Sequence, residues 1–513
     1  MLSLPPSRRD FAIAIILLLG VVATAAPGYY ALAQRMDDGA LLVYPELILK
    51  GWLPYRDFET YYGPGNLYLL AGVYSISHPG IFSARTVGLA YQLAILAAIF
   101  CIVRPRGLAL AIGSVLIAHL FLLPTGLAPR AWTGALAFAL WSVVFAAGHP
   151  SSRRIFCAGL FAAVALLYRP DLTPAVFLSA CLLLFFQSGR LRQIYLVGLG
   201  VGLLPLLVLA FAAGFQNLFD NLFLYPVIIT NPARKLPWSF LSPHLATLFW
   251  FLLLAVLINL GAAFLALRTD SGSRSNSLFA AAAILALGTT HQTLQRMDSG
   301  HLTLCCFLAF ALFPAALTIL ADRLKPAENS TIRQLLLVML TFLMITFLVP
   351  GLIRFARRGI GIGGPSPNDN VAFLQHGRRT FPMNSLEIAR ESGDLLAKMM
   401  DLTSPGQRLF VGPADLRRTN YNDTFLYHLM PQLIPSTYFL EMNPLSANRP
   451  GSRLSSDILS ADWLILDRRL DEWNEPNESA RFGPEAPNLT VQSNFTLVAT
   501  RVRTAFIARS DFA

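Results

Sequence analysis

Long apolar segments recur throughout the first 353 positions of this 513-residue chain and limit what it can fold into. A helix of about 20 residues spans the hydrocarbon core of a bilayer, and the segments approach that length. They cover residues 11–33, 82–103, 107–123, 131–148, 155–168, 172–187, 194–214, 244–267, 278–291, 302–321 and 333–353. The sequence therefore predicts an α-helical polytopic membrane protein with about 11 transmembrane helices. The shorter segments can be tilted, re-entrant or broken.

The charge content supports a membrane protein and argues against a nucleic-acid partner. Only 13% of the residues are charged, whereas soluble chains carry about 25%. The formal net charge of +11 comes from basic residues that lie between the apolar segments, and no long basic run is interleaved with aromatic residues. Basic residues in that position set the orientation of membrane helices, so we expect the lipid bilayer, and no nucleic acid, as a partner.

The basic residues alternate along the connections between segments. They occupy every second connection: Arg8, Arg9, Arg104, Arg106, Arg153, Arg154, Arg190, Arg192, Arg268, Arg274, Arg323 and Lys325. The positive-inside rule places these connections and the N-terminus in the cytoplasm, with an uncleaved first helix. The other connections, at 34–80, 124–130, 168–172, 215–243 and 291–301, then face outward together with the C-terminal region. Arg354, Arg357 and Arg358 oppose this orientation.

The composition changes after about residue 355, which divides the chain into a membrane domain (1–355) and a C-terminal domain (356–513). Residues 361–367 are typical of a linker. The remainder predicts a soluble, extracytoplasmic α/β or α+β domain large enough for its own core. Its expected elements are helices at 385–400 and 425–433, strands at 408–411 and 463–466, and a closing hairpin at 494–509.

The first external loop (34–80) is rich in carboxylates and aromatic residues. Asp37 and Asp38 directly follow the first helix, where a carboxylate can act as a general base or hold a divalent ion. A helix-end cap or a solvated pair explains the two aspartates equally well. Glu46 and Lys50 are four residues apart, which predicts a surface pair on a helix lying along the membrane.

The second half of the loop carries candidate substrate-binding residues, Asp57, Glu59 and Tyr61. If this segment is extended, the side chains of Asp57 and Glu59 point the same way. The Gly63-Pro64-Gly65 sequence then predicts a turn before a second interfacial helix at 66–76.

Two other outward connections pair an arginine with an aspartate. Arg169 and Asp171 form one pair, and Arg296 and Asp298 form the other. An arginine there suits the phosphate of a lipid-linked donor because its planar fork matches phosphate oxygens. An internal ion pair within each connection is an equally good interpretation.

Lys235, next to Arg234 in the long outward loop, and His301, at the start of a helix, complete the candidate substrate-binding residues. For Arg234 and Lys235, contact with lipid headgroups is the simpler interpretation. A single histidine at a helix end is more often structural than functional.

The order of these features resembles the GT-C superfamily of integral membrane glycosyltransferases. The resemblance is carried by residues 30–90: the acidic pair after the first helix, Lys50-Gly51, Pro54-Tyr55-Arg56-Asp57-Phe58, Tyr62-Gly63-Pro64 and Arg85. That superfamily uses polyprenyl-phosphate sugars and includes protein mannosyltransferases and the lipid A aminoarabinose transferase. The resemblance implies that Asp37 or Asp38 is the catalytic base and leaves open which one serves.

The resemblance also implies the reaction. A hexosyl or pentosyl group would move from a polyprenyl-phosphate donor to a lipid, glycan or protein acceptor, with inversion, on the outer face of a bacterial inner (plasma) membrane. No cofactor is certain, although Mg²⁺ or Mn²⁺ bound by the carboxylates is an alternative. Tyr421, Asp423 and Tyr427 in the C-terminal domain are candidates for positioning the acceptor.

Two functions of other classes fit the same architecture. A multi-span transporter or flippase would carry charges deep within its spans and broken helices in matched halves. The charges here lie at span ends, and the two halves show no repeat. A non-catalytic envelope assembly protein would retain the architecture with a degenerate site, which two adjacent aspartates argue against.

Overall fold

The computed structural model describes residues 8–148, 150–324, 330–349, 351–352, 370–469, 471–501 and 504–510. The expected linker at 361–367 lies outside these residues, as do Lys325, Arg354, Arg357 and Arg358 of the orientation argument. The chain divides into two compact units. The bundle unit comprises Met1–Tyr29, Thr86–Leu207 and Pro237–Pro367, and the loop–tail unit comprises Tyr30–Arg85, Val208–Leu236 and Asn368–Ala513.

Fifteen α-helices precede the C-terminal region in the described part of the chain. They are α1 Arg8–Ala25, α2 Asp37–Leu49, α3 Pro64–Ile76, α4 Ile81–Val103, α5 Leu108–Leu122, α6 Ala131–Ala146, α7 Ser152–Tyr168, α8 Thr173–Phe185, α9 Gly189–Ala213, α10 Phe215–Phe219, α11 Asn231–Arg234, α12 Pro243–Thr269, α13 Arg274–Gln295, α14 Ser299–Leu324 and α15 Ser330–Leu348. A π-helical segment, Asp220–Ile229, lies between α10 and α11.

Each of the eleven predicted apolar segments contains a helix within its described residues, which confirms a polytopic helical protein. Counting short 3-10 extensions, seven helices among the described residues are long and apolar enough to cross a membrane: α1, α4, α5, α9, α12, α14 and α15. The helices α6 and α8 are apolar but shorter. The helix α7 has 17 residues, and α13 carries polar residues through its second half.

Small residues bring helices of the bundle unit close together. A Cβ atom on Gly159 of α7 would lie 2.1 Å from the carbonyl oxygen of Tyr195, and one on Gly198 of α9 would lie 2.2 Å from that of Phe156. Lipid is as apolar as the helix surfaces, so close backbone packing, rather than a hydrophobic driving force, holds such helices together. The two glycines therefore fix the approach of α7 to α9.

The C-terminal region of the loop–tail unit contains strands β1–β7 and helices α16–α19. The strands are β1 Ala372–His376, β2 Arg379–Met383, β3 Arg408–Pro413, β4 Ile434–Pro435, β5 Trp463–Asp467, β6 Phe495–Arg501 and β7 Thr504–Arg509. The helices are α16 Leu386–Leu402, α17 Phe425–Leu429, α18 Leu454–Leu459 and α19 Ala486–Asn494. The mixture of parallel and antiparallel pairs confirms the predicted α/β or α+β character.

The larger sheet has the strand order β4-β3-β5-β7-β6. Strand β3 runs parallel to β4 and β5, whereas β7 is antiparallel to β5 and β6. Strands β3 and β5 are continuous apolar runs because the sheet is covered on two faces, and Phe410 and Leu464 lie in its core. The hairpin β1–β2 pairs separately from this sheet.

The predicted strands and the closing hairpin are confirmed, whereas the helix expected at 425–433 is shorter. It ends at Leu429. Pro431 follows at a distance of two residues, and a proline disfavours the helical conformation of the residue before it. The hairpin β1–β2 and the short elements β4, α18 and α19 are not evident from the sequence pattern.

Candidate active site

Three segments that are distant in sequence meet within the loop–tail unit: the first loop, the connection after α9, and residues 420–449 of the C-terminal region. The amide of Glu59 donates to the carbonyl oxygen of Tyr438 at 2.8 Å, and the Tyr438 hydroxyl donates to the carbonyl oxygen of Tyr55 at 2.8 Å. Asn221 accepts a hydrogen bond from the amide of Thr60 at 3.2 Å and donates to the Tyr438 hydroxyl at 2.9 Å. The first loop is therefore built against the C-terminal region.

The N-terminal end of α2 is fixed by a close backbone approach and an ion pair. A Cβ atom on Gly39 would lie 2.4 Å from the amide nitrogen of Phe425, so only glycine allows this packing. Arg35 pairs with Asp423 at 3.1 Å, and Arg469 pairs with the same carboxylate at 2.8 Å. Asp423 therefore holds the first loop in place.

The other two C-terminal candidates for positioning an acceptor also have structural surroundings. The Tyr427 hydroxyl is buried and accepts a hydrogen bond from the amide of Val411 at 2.8 Å. Tyr421 has a φ of 63° and packs against the ring of Trp473.

The predicted surface pair of Glu46 and Lys50 is wrong. Glu46 is 8% exposed and accepts hydrogen bonds from Arg379 at 2.8 Å and from His428 at 2.7 Å. Lys50 instead donates to the carbonyl oxygen of Pro431 at 2.8 Å. The reason is that α2 is buried along most of its length and does not present a polar face to water. Burial raises the pKa of Glu46, but His428 and Arg379 outweigh burial, and the pKa is lowered overall.

Asp37 and Asp38 begin α2 and have different surroundings. Asp38 is buried, and its carboxylate accepts a hydrogen bond from the amide of Gln34 at 2.8 Å. Burial raises the pKa of Tyr74, and the charges of Glu46 and Asp38 raise it further, so Asp38 faces the interior. Asp37 is half-buried, and its charge raises the pKa of Glu441. Asp38 therefore binds back to the loop that precedes α2, whereas Asp37 lies near the carboxyl group of Glu441.

Asp37, Glu59 and Glu441 form what we call the acidic cluster. Asn443 bridges the two glutamates, because its side-chain amide donates to Glu59 at 3.3 Å and to Glu441 at 3.2 Å. The hydroxyl of Ser446 also donates to Glu59. The cluster therefore places two buried carboxyl groups beside the half-buried Asp37.

Both buried carboxyl groups of the acidic cluster hold protons more tightly than usual. Burial raises the pKa of Glu59 to about 7, against the opposing effect of hydrogen bonds from Ser446 and Asn443. Burial, followed by repulsion from Asp37, raises the pKa of Glu441 to about 7. Groups with such values can give or take a proton near neutral pH.

Two arginines lie beside the acidic cluster. The guanidinium of Arg449 donates to the Tyr225 hydroxyl at 3.1 Å and lies 5.1 Å from the centre of its ring. Arg234 lies 5.9 Å from the centre of the Tyr61 ring, and the two tyrosine rings are 6.5 Å apart. The charge of Arg449 lowers the pKa of Glu59, so cations and carboxylates belong to one electrostatic site.

Asp57 and Glu59, two predicted substrate-binding residues of the first loop, have different surroundings. Asp57 pairs with Arg56 at 2.8 Å and accepts a hydrogen bond from the amide of Leu53 at 2.8 Å, whereas Glu59 is buried. The extended segment that would point Asp57 and Glu59 the same way does not form, because residues 55–57 form a turn in which Tyr55 has a φ of 71°.

Tyr61 lies in the site, between Glu59 and Arg234. Lys235, in contrast, is exposed. Of the two adjacent basic residues in the connection after α9, Arg234 is therefore the one beside the acidic cluster.

The arginine–aspartate pairs of the connections that are predicted to face outward belong to the bundle unit. Arg169 binds both carboxylate oxygens of Asp171, at 2.8 and 2.6 Å, and His291 contacts the same carboxylate at 2.9 Å. Arg169 therefore has the ion pair that the sequence offered as the alternative to a phosphate site.

The second pair of the bundle unit includes a histidine. Arg296 binds Asp298 at 2.9 Å, and the Nδ1 atom of His301 lies 2.9 Å from the same carboxylate. Burial raises the pKa of Asp298, but contacts with His301 and Arg296 outweigh it and lower the pKa to about 2. His301 therefore has a structural partner at the start of α14.

Tyr44, Glu441, Asn443 and Arg449 of the site are not identified by the sequence pattern. Residues 441–449 are mostly buried in the structure, but they show little helical or strand pattern in the sequence that would reveal this. The partners of that run are several hundred positions away, so no local spacing relates them.

Clustered metal-ligating side chains are absent from the described ranges. No group of three or more histidine, cysteine, aspartate or glutamate side chains there is arranged to hold a metal ion. The Mg²⁺ or Mn²⁺ alternative stays a prediction, and no step below depends on it.

Comparison with known proteins gives a likeness in structure. No protein-family model matches the chain, and no curated protein matches it in sequence. Crystal structures of ArnT from Cupriavidus metallidurans, one bound to undecaprenyl phosphate and one in the apo state, are each similar to it with a TM-score of 0.50 and 13% identity. Each comparison covers 99% of this chain and 99% of the ArnT chain. The likeness shows that this chain shares the fold of the ArnT structures.

Proposed function

We propose that this protein is a membrane glycosyltransferase that moves a sugar from a polyprenyl-phosphate donor to an acceptor. The observation that carries the proposal is the acidic cluster, with its half-buried Asp37, next to the guanidinium groups of Arg234 and Arg449. A carboxylate base and paired cations are what such a transfer requires. The fold shared with ArnT, whose crystal structure holds undecaprenyl phosphate, supports the same chemistry.

Arg234 and Arg449 would bind the donor phosphate. The guanidinium carbon of each lies over a tyrosine ring, 5.9 and 5.1 Å from the ring centre, and guanidinium N–H groups suit phosphate oxygens. Arg169 and Arg296 were the other candidates, but each is engaged by an aspartate of its own connection. Binding a phosphate at either of them would displace that aspartate, which costs free energy.

Asp37 would be the base. Its neighbour Asp38 is buried and accepts the amide of Gln34, which suits a structural role. In the proposed step, an acceptor hydroxyl or amine loses its proton to Asp37 and attacks the anomeric carbon of the sugar. The bond from that carbon to the phosphate oxygen breaks, and the polyprenyl phosphate leaves with the electron pair. One displacement inverts the anomeric configuration.

The two arginines would also accelerate the reaction. Negative charge grows on the phosphate oxygen as the bond breaks, and fixed cations stabilise that charge more in the transition state than in the ground state. The sugar would be a hexosyl or pentosyl group, and the acceptor a lipid, a glycan or a protein. We place the reaction on the outer face of a bacterial inner membrane, with the N-terminus in the cytoplasm.

The test is sugar transfer in membranes from a labelled polyprenyl-phosphate sugar, for the wild type, Asp37→Asn and Asp38→Asn. We expect Asp37→Asn to reduce kcat by about 100-fold or more, the usual effect of removing a general base. Asp38→Asn should retain most of the rate because asparagine can still accept the amide of Gln34. Asp401→Asn, at an exposed position of α16, is the matched control.

Full activity of Asp37→Asn at unchanged expression would reject the base. A loss in Asp38→Asn alone would transfer that role to the buried neighbour.

A further inference from the structure

Tyr44 and Glu441 carry buried polar atoms that their surroundings do not satisfy. Glu441 is 4% exposed and Tyr44 is 0% exposed. Among the described residues, neither the Oε1 atom of Glu441 nor the hydroxyl of Tyr44 has a hydrogen-bond partner. The hydroxyl is nevertheless close enough to Glu441 to lower the pKa of that carboxyl group, against the larger effect of burial. An unsatisfied buried polar atom is costly and uncommon, so two together indicate a ligand.

The groups around these two atoms limit the chemistry of the ligand. The other carboxylate oxygen of Glu441 accepts a hydrogen bond from Asn443 at 3.2 Å, which leaves Oε1 as an acceptor and the Tyr44 hydroxyl as a donor. A hydroxyl group can donate to the first and accept from the second at the same time. An ammonium group has no acceptor for the Tyr44 hydrogen, so an alcohol fits better.

Resting on the proposed function, we propose that Tyr44 and Glu441 form a subsite for one hydroxyl group of the donor sugar. The subsite lies in the acidic cluster next to Asp37. Arg449 lies near Glu59, and the side-chain amide of Asn443 links Glu59 to Glu441 by hydrogen bonds. The sugar would then lie between the phosphate-binding arginines and the base, which is the order that the displacement requires.

The ring of Tyr44 is held rigidly, which suits a binding role. It stacks on Phe58, with the ring centres 4.7 Å apart and the planes inclined by 16°. Removing the hydroxyl leaves this stacking intact, so Tyr44→Phe should not lower Tm. This separates the subsite from a structural role, since a hydroxyl that stabilised the fold would lower Tm when removed.

The test measures two constants for the purified protein: KM for a polyprenyl-phosphate sugar, and the inhibition constant of undecaprenyl phosphate, which has the phosphate but no sugar. Tyr44→Phe and Glu441→Gln should each raise KM about tenfold, the effect of one lost hydrogen bond, and leave the inhibition constant within about twofold of the wild type. Glu478→Gln, at an exposed position, is the control for a glutamate substitution.

Several results would overturn the subsite. An unchanged KM in both variants, with an active wild type, rejects it while leaving the proposed function intact. A lower Tm with an unchanged KM identifies a structural or water-mediated role. A parallel rise of KM and the inhibition constant assigns the two residues to the phosphate site instead. If the wild type transfers no sugar from hexosyl, pentosyl or N-acetylhexosaminyl donors, the proposed function and the subsite fail together.

Discussion

Removing the guanidinium group that binds Glu46 should destabilise the loop–tail unit strongly. In Arg379→Met, a carboxylate that is 8% exposed loses a partner at 2.8 Å and keeps, among the described residues, its ion pair with His428 at 2.7 Å. Two charges about 4 Å apart interact by about 4 kcal/mol at an effective dielectric constant of about 20. Relaxation and the remaining His428 reduce this value, so we expect a loss of about 2–3 kcal/mol in the free energy of unfolding.

The direction of the pH dependence follows from the same contacts. The pKa of Glu46 is lowered in the folded protein, so its contribution to stability is present above the unfolded pKa of about 4.3 and is lost as the pH falls through the folded value. Burial also lowers the pKa of His428, so protonation below about pH 6.5 favours the unfolded state. Acidification therefore destabilises the wild type, and Arg379→Met should lose part of the Glu46 contribution.

The assay is a double-mutant cycle with Glu46→Gln and Arg379→Met, followed by urea unfolding of the detergent-solubilised protein. The double variant contains no uncompensated buried charge, so it should be destabilised less than the sum of the single variants by about 1–2 kcal/mol. Strictly additive losses would refute the direct pair. Glu387→Gln, at an exposed position of α16, is the control.

Three further outcomes are expected. Gly198→Val should separate α9 from α7 and lower Tm by several degrees, because a side chain there meets the Phe156 carbonyl at 2.2 Å; a wild-type Tm would contradict this. Burial raises the pKa values of Glu59 and Glu441 to about 7, so their contribution to stability is greatest below about pH 4.3 and is lost as the pH rises through 7. Replacing both by glutamine should make Tm, measured by thermal unfolding, depend less on pH over this range. Arg449→Met should raise the inhibition constant of undecaprenyl phosphate about tenfold or more, and an unchanged constant would remove this arginine from the phosphate site.

The fold was largely predictable because its signals are local. Continuous apolar runs identify the bundle helices without any knowledge of their neighbours, and the buried strands β3 and β5 are equally plain in sequence. The early end of α17 could also have been predicted from the sequence, because Pro431 lies two residues beyond it. Hydropathy alone does not give the depth of each helix in the bilayer or its length, and α7 and α13 show why.

The candidate site was only partly predictable because its partners are remote in sequence. The apolar character of α2 suits a membrane surface and a protein core equally. Only the contacts of Glu46 with Arg379 and His428 show that α2 lies in a protein core, and these residues are 333 and 382 positions away. Asp37 and Glu59 were visible as carboxylates. Glu441 was not, because nothing near it in sequence distinguishes it from any other polar residue of a loop.

The most direct measurement incubates membranes that contain the wild-type protein with a polyprenyl-phosphate sugar labelled in both parts. It then follows the label in the sugar, the label in the lipid, and the anomeric configuration of the product. The proposed reaction predicts one polyprenyl phosphate released for each sugar transferred, with inverted configuration. Movement of the intact donor across the membrane without release of polyprenyl phosphate would contradict it and favour a flippase.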